Sequence, residues 1–380
     1  MDFGLSKEHT LLADLYRKFV ENEVAPLAKE LDEQERFPLE TVEKLARYGF
    51  LGIPFPKKYG GQGGDAIGYA MAVEYLSKAC ASTGIIVSAH TSLCAEPIYT
   101  FGSEAQKMKY LVPLAKGELL GAFGLTEPDA GTDASRQQTR AVLEGDNYIL
   151  NGTKVMITNA GYAGVYVIIA MTDKSKGTRG LSAFIVEKNF PGFRIGTKEK
   201  KMGIRGSTAC ELVMENCVVP KENLLGKEGQ GFKIAMITLD GGRIGVAAQA
   251  LGIAEGAVEE TVKYTKERKQ FGKSISAFQN TQFELADMHV KTKAARLLVY
   301  NAAWAKENKK SYSNLAAMAK LYASEAASDI TCRCVQLFGG YGYIRDYPVE
   351  RMMRDAKITE IYEGTSEVQK MVIAAGMGVK

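Results

Sequence analysis

The chain has 380 residues, 46% hydrophobic and 24% charged, with a formal net charge of +4. It is long enough for two or three domains with sizeable cores, and its charge is too small to suggest nucleic acid as a partner. No apolar run approaches the length of a membrane span. The start, MDFGLSKEHTLLADLYRKF, lacks the basic head, apolar centre and cleavage site of a signal peptide and reads as an amphipathic helix.

Residues 1–120 read as helical. Leu12, Leu15 and Phe19 recur at helical spacing, as do Val20, Val24, Leu27 and Leu31. A helix opened by Pro38 closes near Gly49, the glycines of KKYGGQGGD break the chain, and a longer helix is expected from Ile67 to Cys80. Helix continues through 82–99 and SEAQKMKYLVPLAKG. From 121 to 230 the apolar residues come instead in short β-rich runs, YIL, VYVIIAM and LSAFIV, too closely spaced for crossover helices. This predicts a mainly antiparallel barrel or sandwich.

NLLGKEGQGFK is a glycine-rich connector. It is not a Walker loop, because Phe232 stands where the lysine belongs, and no Rossmann fingerprint follows a strand. From 231 to 380 the pattern is helical again. Ile244, Ala247, Ala248, Leu251, Ala254, Val258 and Val262 form one apolar stripe, further helices are expected at about 278–306 and 314–338, and a fourth begins at Ser366. Alanine-rich helices of this kind predict a four-helix bundle. The fold class is therefore α+β, mostly α: a helical domain, a β domain and a bundle.

The cysteines Cys80, Cys94, Cys210, Cys217, Cys332 and Cys334 form no C-x-x-C pair, which predicts free thiols and a reducing cytoplasm. His9, His90 and His289 are too dispersed for a metal site, and His90 reads as a satisfied, partly buried histidine. The stretch RDYPVERMMRDAKITEIYEGTSEVQ holds Glu363 in a turn before the last helix, where Ser366 and Gln369 have capping-box spacing. Two readings of Glu363 stay open on local sequence: complement to the helix dipole, or a carboxylate aimed at a ligand.

Seven motifs carry a family resemblance: AFGLTEPDAGTDA, KVMITNAG, KMGIRGS, LDGGRIGVAAQALGIA, RKQFGKSISAFQ, QLFGGYGY and IYEGTSEVQ. In this order they resemble the acyl-CoA dehydrogenase family, most closely its bacterial short-chain, butyryl-CoA members. The resemblance covers essentially the whole chain. It implies a homotetramer, FAD held between the β domain and the bundle, and an electron-transfer flavoprotein as redox partner, in some anaerobes within a bifurcating complex that reduces crotonyl-CoA.

By resemblance, Leu125 and Thr126 meet the flavin ring, Thr132 bonds pyrophosphate or CoA, Thr158 lies near flavin N5, and Met156 stands where the family often has an aromatic residue. Taken alone, LTEPDAGTD is an ordinary turn and Met156 an ordinary core residue. Arg268, Phe271 and Gln279 would meet the FAD pyrophosphate of a neighbouring subunit, a role a guanidinium fork suits; the bland reading is a solvated basic helix end. Gln336, Gly339 and Gly340 would approach the adenosine half, and Thr365 and Glu367 would also bond FAD. Asp240 and Arg243 would bind CoA, or form only an intrahelical ion pair; Tyr362 and Gly364 would meet substrate.

Glu363 would be the base that takes the α-proton. Some relatives carry the base immediately before the arginine of LDGGR; here that position is Gly242. An acyl-CoA oxidase, usually much longer, a carnitine-CoA reductase and DNA-associated relatives with a basic C-terminal region are the alternatives on the same scaffold.

Overall fold

The computed structural model describes residues 5–379. Of the amphipathic N-terminal helix, Met1–Gly4 lie outside the described residues, and the rest forms Lys7–Phe19. Ser6 caps it, accepting from the His9 N–H, and the His9 ring returns the bond to the Ser6 N–H. His9 also reaches Asp65, which caps the helix Ala66–Ala79 through the Gly68 N–H. Two helix starts thus share one carboxylate. Among the described residues no helix is long and apolar enough to cross a membrane.

Eight strands follow: β1 (Gly121–Gly124), β2 (Arg140–Glu144), β3 (Asn147–Thr158), β4 (Val165–Met171), β5 (Leu181–Glu187), β6 (Phe193–Lys198), β7 (Ala209–Pro220) and β8 (Leu224–Leu225). Their order is β6-β7-β3-β2-β4-β5-β8, with β1 beside β4. Most pairs are antiparallel, as expected, but β1 and, at Arg140–Met171, β2 run parallel to β4. Of the expected barrel or sandwich, closure into a barrel is not seen: among the described residues the pairing is an open path whose end strands β6 and β8 do not pair with each other.

β4 and β5 are buried on both faces, which explains their unbroken apolar runs. Val165, Val167, Ile169, Ala183 and Ile185 pack toward the N-terminal helices, in a cluster with Leu93, Leu125 and Ile234. Tyr166, Ile168, Phe184 and Val186 pack on the other side with β3 and β7. Each large aliphatic so buried contributes about 1.5–3 kcal/mol.

The C-terminal part contains the long helix Gly231–Glu267, then Gln279–Glu307, Ser313–Phe338 and Ser366–Gly376. A fifth, Val349–Lys357, was not expected. The long helix is buried on every face from Gly241 to Ala254. Its glycines make that possible: a Cβ at Gly252 would lie 2.2 Å from the Glu74 carbonyl oxygen, and one at Gly256 2.3 Å from that of Lys78. Buried Glu74 binds Arg296 and accepts from Tyr300 Oη at 2.6 Å, joining the N-terminal helices to the bundle.

His90 is fully buried and accepts from the Gly121 N–H at 3.0 Å, while its Nε2 has no partner. It is neither partly buried nor fully satisfied, and burial pushes its pKa down to about 4, so it is neutral. The six cysteines are free, all but Cys332 buried.

The KMGIRGS loop is clamped from both sides. Ile204, at φ 44°, donates its N–H to Asp355 Oδ1 at 2.5 Å, and Gly206 donates to Ser82 Oγ at 3.1 Å. An added carbon at Gly203 would lie 2.4 Å from the Arg354 carbonyl oxygen. Gly203→Ala is expected to cost about 1–3 kcal/mol, measured as a lower urea midpoint. Gly131→Ala, whose added carbon meets nothing within 4 Å, is the control, expected to change stability by less than about 0.5 kcal/mol. Equal midpoints for G203A and wild type would contradict the clamp.

Candidate active site

The helix Val349–Lys357 runs into a single turn, Ile358–Glu360, and the Tyr362 N–H makes that turn's last bond, to the Ile358 carbonyl at 3.1 Å. Glu363 at φ 54° and Gly364 at φ 95° then reverse the chain. Among the described residues the Glu363 N–H has no acceptor. The expected cap at Ser366 is corrected by one residue. Thr365 is the cap, its Oγ1 accepting from the Val368 N–H at 3.4 Å, and Ser366 is already helical. Gln369 does not close a capping box. Its buried amide donates to the carbonyls of Glu363 (3.3 Å) and Gly364 (2.7 Å).

Lys320, fully buried, donates to the same Gly364 carbonyl at 2.7 Å. Tyr362 Oη donates to Gln249 on the long helix, whose amide donates to the Ala81 carbonyl at 3.0 Å. The turn is therefore tied to three other elements.

The Glu363 carboxyl turns its Oε2 inward, buried and without a hydrogen-bond partner among the described residues. A Cβ at Gly242 would lie 2.0 Å from that oxygen and 2.7 Å from Leu93. The glycine therefore makes the room the carboxyl occupies. Burial pushes the Glu363 pKa up to about 7, against the opposing pull of Lys320 and then Arg243. Arg243 forms the intrahelical pair with Asp240 at 2.6 Å, and Ser313 donates to the same Asp240 oxygen at 2.9 Å. Arg243 Nε remains buried and unpartnered.

A second group surrounds the loop after β1. Leu125 is buried in the cluster that contains Leu93, and the Thr126 carbonyl accepts from the Val155 N–H at 2.9 Å. Lys154, fully buried, donates to the Leu125 carbonyl (3.1 Å), Glu127 (2.6 Å) and Gln137 (2.5 Å). The Glu127 carboxylate also accepts from the Thr139 N–H at 3.0 Å. A buried lysine thus fixes the loop to β3. Burial lowers the Lys154 pKa to about 8 despite Glu127. A break in β3 pairing between Lys154 and Ile157 leaves Met156 at φ 60° and 60% exposed, so it is not core. Thr158 is half-buried, and Gly131 and Thr132 are exposed beyond a tight Glu127–Ala130 turn.

A third group lines a groove of about 440 Å³ with Arg268, Gln270, Gln336, Gly339, Gly340 and Tyr341. Arg268 lies over the Tyr341 ring at 5.2 Å. Gly339 and Gly340 have open space where a side chain would stand. The pair Lys269–Gln270 and Lys273–Ser274 is a small hairpin that carries Phe271 at φ 53°, 93% exposed. Gln279 is exposed at the start of its helix, and Glu367 is exposed at the start of the last one. None of the residues around Glu363 lines this groove.

The arrangement fits the flavin and thioester that the resemblance implies. A carboxylate oxygen and an N–H in one turn lack partners, a thioether surface is uncovered, and a guanidinium sits beside two unobstructed glycines. Lys320, Gln249 and the Lys154–Glu127 pair are neighbours of the site that the sequence reading missed, and Gln369 was read only as a capping-box partner. Gln249, Lys154 and Glu127 lie inside the quoted motifs, so their position in them was the available signal.

The family models for the acyl-CoA dehydrogenase N-terminal, middle and C-terminal domains match residues 6–118, 122–217 and 229–378. The chain belongs to the acyl-CoA dehydrogenase family. It is 62% identical over 374 residues to a short-chain-specific acyl-CoA dehydrogenase of Clostridium acetobutylicum, covering 98% of this chain and 99% of that one. Its structure is similar to butyryl-CoA dehydrogenase from Megasphaera elsdenii, with TM-score 0.98 and 54% identity over 99% and 100% of the two chains. It is equally similar, with TM-score 0.98 and 58% identity over 99% of each chain, to a chain in structural work on the electron transferring flavoprotein of Acidaminococcus fermentans and flavin-based electron bifurcation.

A raised carboxyl pKa has a stability consequence for this dehydrogenase. The Glu363 pKa is about 4.5 unfolded and about 7 folded, so between these values the folded state holds more protons. Its contribution is most favourable below pH ~4.5 and is lost as pH rises through ~7, by about 3 kcal/mol in all. Urea unfolding across this window should show wild type losing stability relative to Glu363→Gln. Parallel curves would mean that Glu363 titrates normally.

Proposed function

We propose that the protein is an FAD-dependent short-chain acyl-CoA dehydrogenase that interconverts butyryl-CoA and crotonyl-CoA, with Glu363 as the base and an electron-transfer flavoprotein as redox partner. The observation that carries this reading is the unpartnered pair in one turn: the Glu363 Oε2, buried beside Gly242, and the Glu363 N–H.

A thioester α-proton is too weakly acidic for a carboxylate in water, so the developing charge on the thioester oxygen needs a donor already in place. The Glu363 N–H is such a donor. The same residue's carboxylate takes the α-proton, and its raised pKa makes it a stronger base than an exposed glutamate. FAD supplies the acceptor for the hydride that leaves Cβ. Leu125, Thr126, Met156 and Thr158 would hold its ring, and Thr132, Thr365 and Glu367 would bond the rest of it. Thr365 uses its oxygen as a helix cap and retains a hydroxyl proton to donate. Arg243 and Asp240 would bind the CoA moiety, the arginine offering its free Nε, with Tyr362 and Gly364 beside the acyl group.

The assembly proposed is a homotetramer of three-domain chains, divided at about 120 and 230. Phe283, Val290, Leu297 and Trp304 support it. They recur at seven-residue spacing on one helix and are 60%, 66%, 53% and 37% exposed, the pattern of a helix face made to be covered. In a tetramer Arg268, Phe271, Gln279, Gln336, Gly339 and Gly340 would receive the adenosine and pyrophosphate of a neighbour's FAD. The short-chain assignment and the flavoprotein partner rest on the relatives named above, and the cytoplasmic location on the free thiols.

Glu363→Gln should keep its fold and bound flavin while kcat falls by about 10²–10⁴-fold; near-normal turnover would remove Glu363 as the base. Gly242→Ala should lower kcat by about 10²-fold by displacing the carboxylate, with little change in unfolding midpoint. Anaerobic bleaching of the flavin by acyl-CoAs from butyryl to palmitoyl tests the substrate. The strongest response should come from butyryl-CoA, and a maximum at octanoyl-CoA or longer overturns the short-chain reading.

A further inference from the structure

We propose that Lys320 is a positioning residue for the base, holding the Glu363–Gly364 turn by its backbone and setting a buried positive charge beside it that favours the carboxylate form. The inference rests on reading Glu363 as the base. Lys320 lies mid-helix in Ser313–Phe338 with no exposed surface, and a buried ammonium without a strong partner is costly. Its one hydrogen bond is to the neutral Gly364 carbonyl at 2.7 Å. Among the described residues no carboxylate lies within ion-pair distance of it.

The groups around the carboxylate are not equivalent. Arg243 faces Glu363 from the long helix, but Asp240 at 2.6 Å already pairs with its charge. Tyr69, on the helix Ala66–Ala79, and the adjacent Tyr362 both feel the Glu363 charge, and burial raises the pKa of each, so they are neutral. Lys320 is the larger of the two cationic influences on Glu363, and it feels Glu363 before Arg243, Glu360 and Glu367. It therefore supplies the positive charge near the base that no carboxylate pairs with directly. Burial lowers its own pKa to about 8, so it remains cationic through the range where Glu363 ionises.

The tether and the charge can be separated, because the Gly364 carbonyl has a second donor, the Gln369 amide at 2.7 Å, that does not depend on Lys320 for its own placement on the last helix. The experiment measures kcat/KM for butyryl-CoA against pH, with flavin content, in wild type, Lys320→Met and Lys320→Arg holoenzymes. In K320M the acidic limb should move up by about 1 pH unit, and in K320R it should return to the wild-type position. A K320M limb that coincides with wild type overturns the proposal, as does an equal shift in both variants. If K320M loses flavin, Lys320→Gln replaces it. Loss of flavin in both neutral variants assigns Lys320 to folding and also overturns the proposal. Glu363→Gln is run alongside: activity there ends the base reading itself, whereas an inactive E363Q with an unmoved K320M limb ends only the Lys320 proposal.

Discussion

A carboxyl group with one oxygen held out of water, in a turn that no bulky residue adopts readily, is the constraint on which the site depends. A non-glycine residue in the left-handed region is disfavoured by about 1–2 kcal/mol, and Glu363 stands there at φ 54°. Gly364 follows at φ 95°, where glycine is at little disadvantage. The strained conformation persists because the Gly364 carbonyl receives two donors, from helices on either side in sequence. Gly242 then leaves a gap for the carboxyl, and Leu93 closes one side of it. The elements that hold the turn also bury the Oε2 of the group it presents, so position and raised pKa have a common origin.

This places demands on parts of the chain far from Glu363. Gly242 can form one wall only if the long helix is seated within tenths of an ångström. The glycines at 245, 252 and 256 let the helices Ala66–Ala79 and Ala81–Ser88 and the turns around them approach its backbone. Glu74, bonded to Arg296 and Tyr300, fixes the same helices to the bundle. Asn159 does the equivalent for the sheet: its amide donates to the Ile86 and Gly121 carbonyls at 3.0 and 3.2 Å, just beyond Met156 and Thr158. Close-packed interfaces of small residues tolerate little slip, so strand β3 and the Glu363 turn are registered against one another through the N-terminal helices.

Helices with a clear apolar stripe, and strands with unbroken aliphatic runs, were legible in the sequence because those patterns are local. The helix Val349–Lys357 was not, since four of its nine residues are buried and the rest are mostly charged. The capping residue was missed by one position because Thr365 and Ser366 are both good caps, and only the distant demand for Gln369 at Gly364 decides between them. Sheet closure was beyond the strand pattern, which records which residues are buried and not which edges meet. The site carboxylate was readable through motif order. Its supporting lysine was not: lysine is rarely fully buried, and a backbone carbonyl as partner leaves no mark in the sequence. Lys154 was passed over for a different reason: it and its carboxylate partner Glu127 both lie inside quoted motifs, but twenty-seven residues apart.

Phe271 shows where a single chain stops accounting for its own structure. It combines positive φ with 93% exposure, so it bears conformational strain and leaves an aromatic ring in water. Within the chain it gains only an edge contact with Phe278 at 6.1 Å. Strain of this kind is retained where something outside the local sequence makes use of it. Beside it, Arg268 is spread over Tyr341, and two glycines leave the groove floor open. The apolar row from Phe283 to Trp304 lies on the helix that begins at Gln279, seven residues after Gly272. A second copy seated on that row would bring its own surface toward the hairpin, and a cofactor shared across the contact would cover Phe271 and meet the guanidinium. In the proposed assembly the Glu363 turn would be complete within one chain and the cofactor's far end would need two, so flavin retention would depend on assembly whereas the geometry of the turn would not.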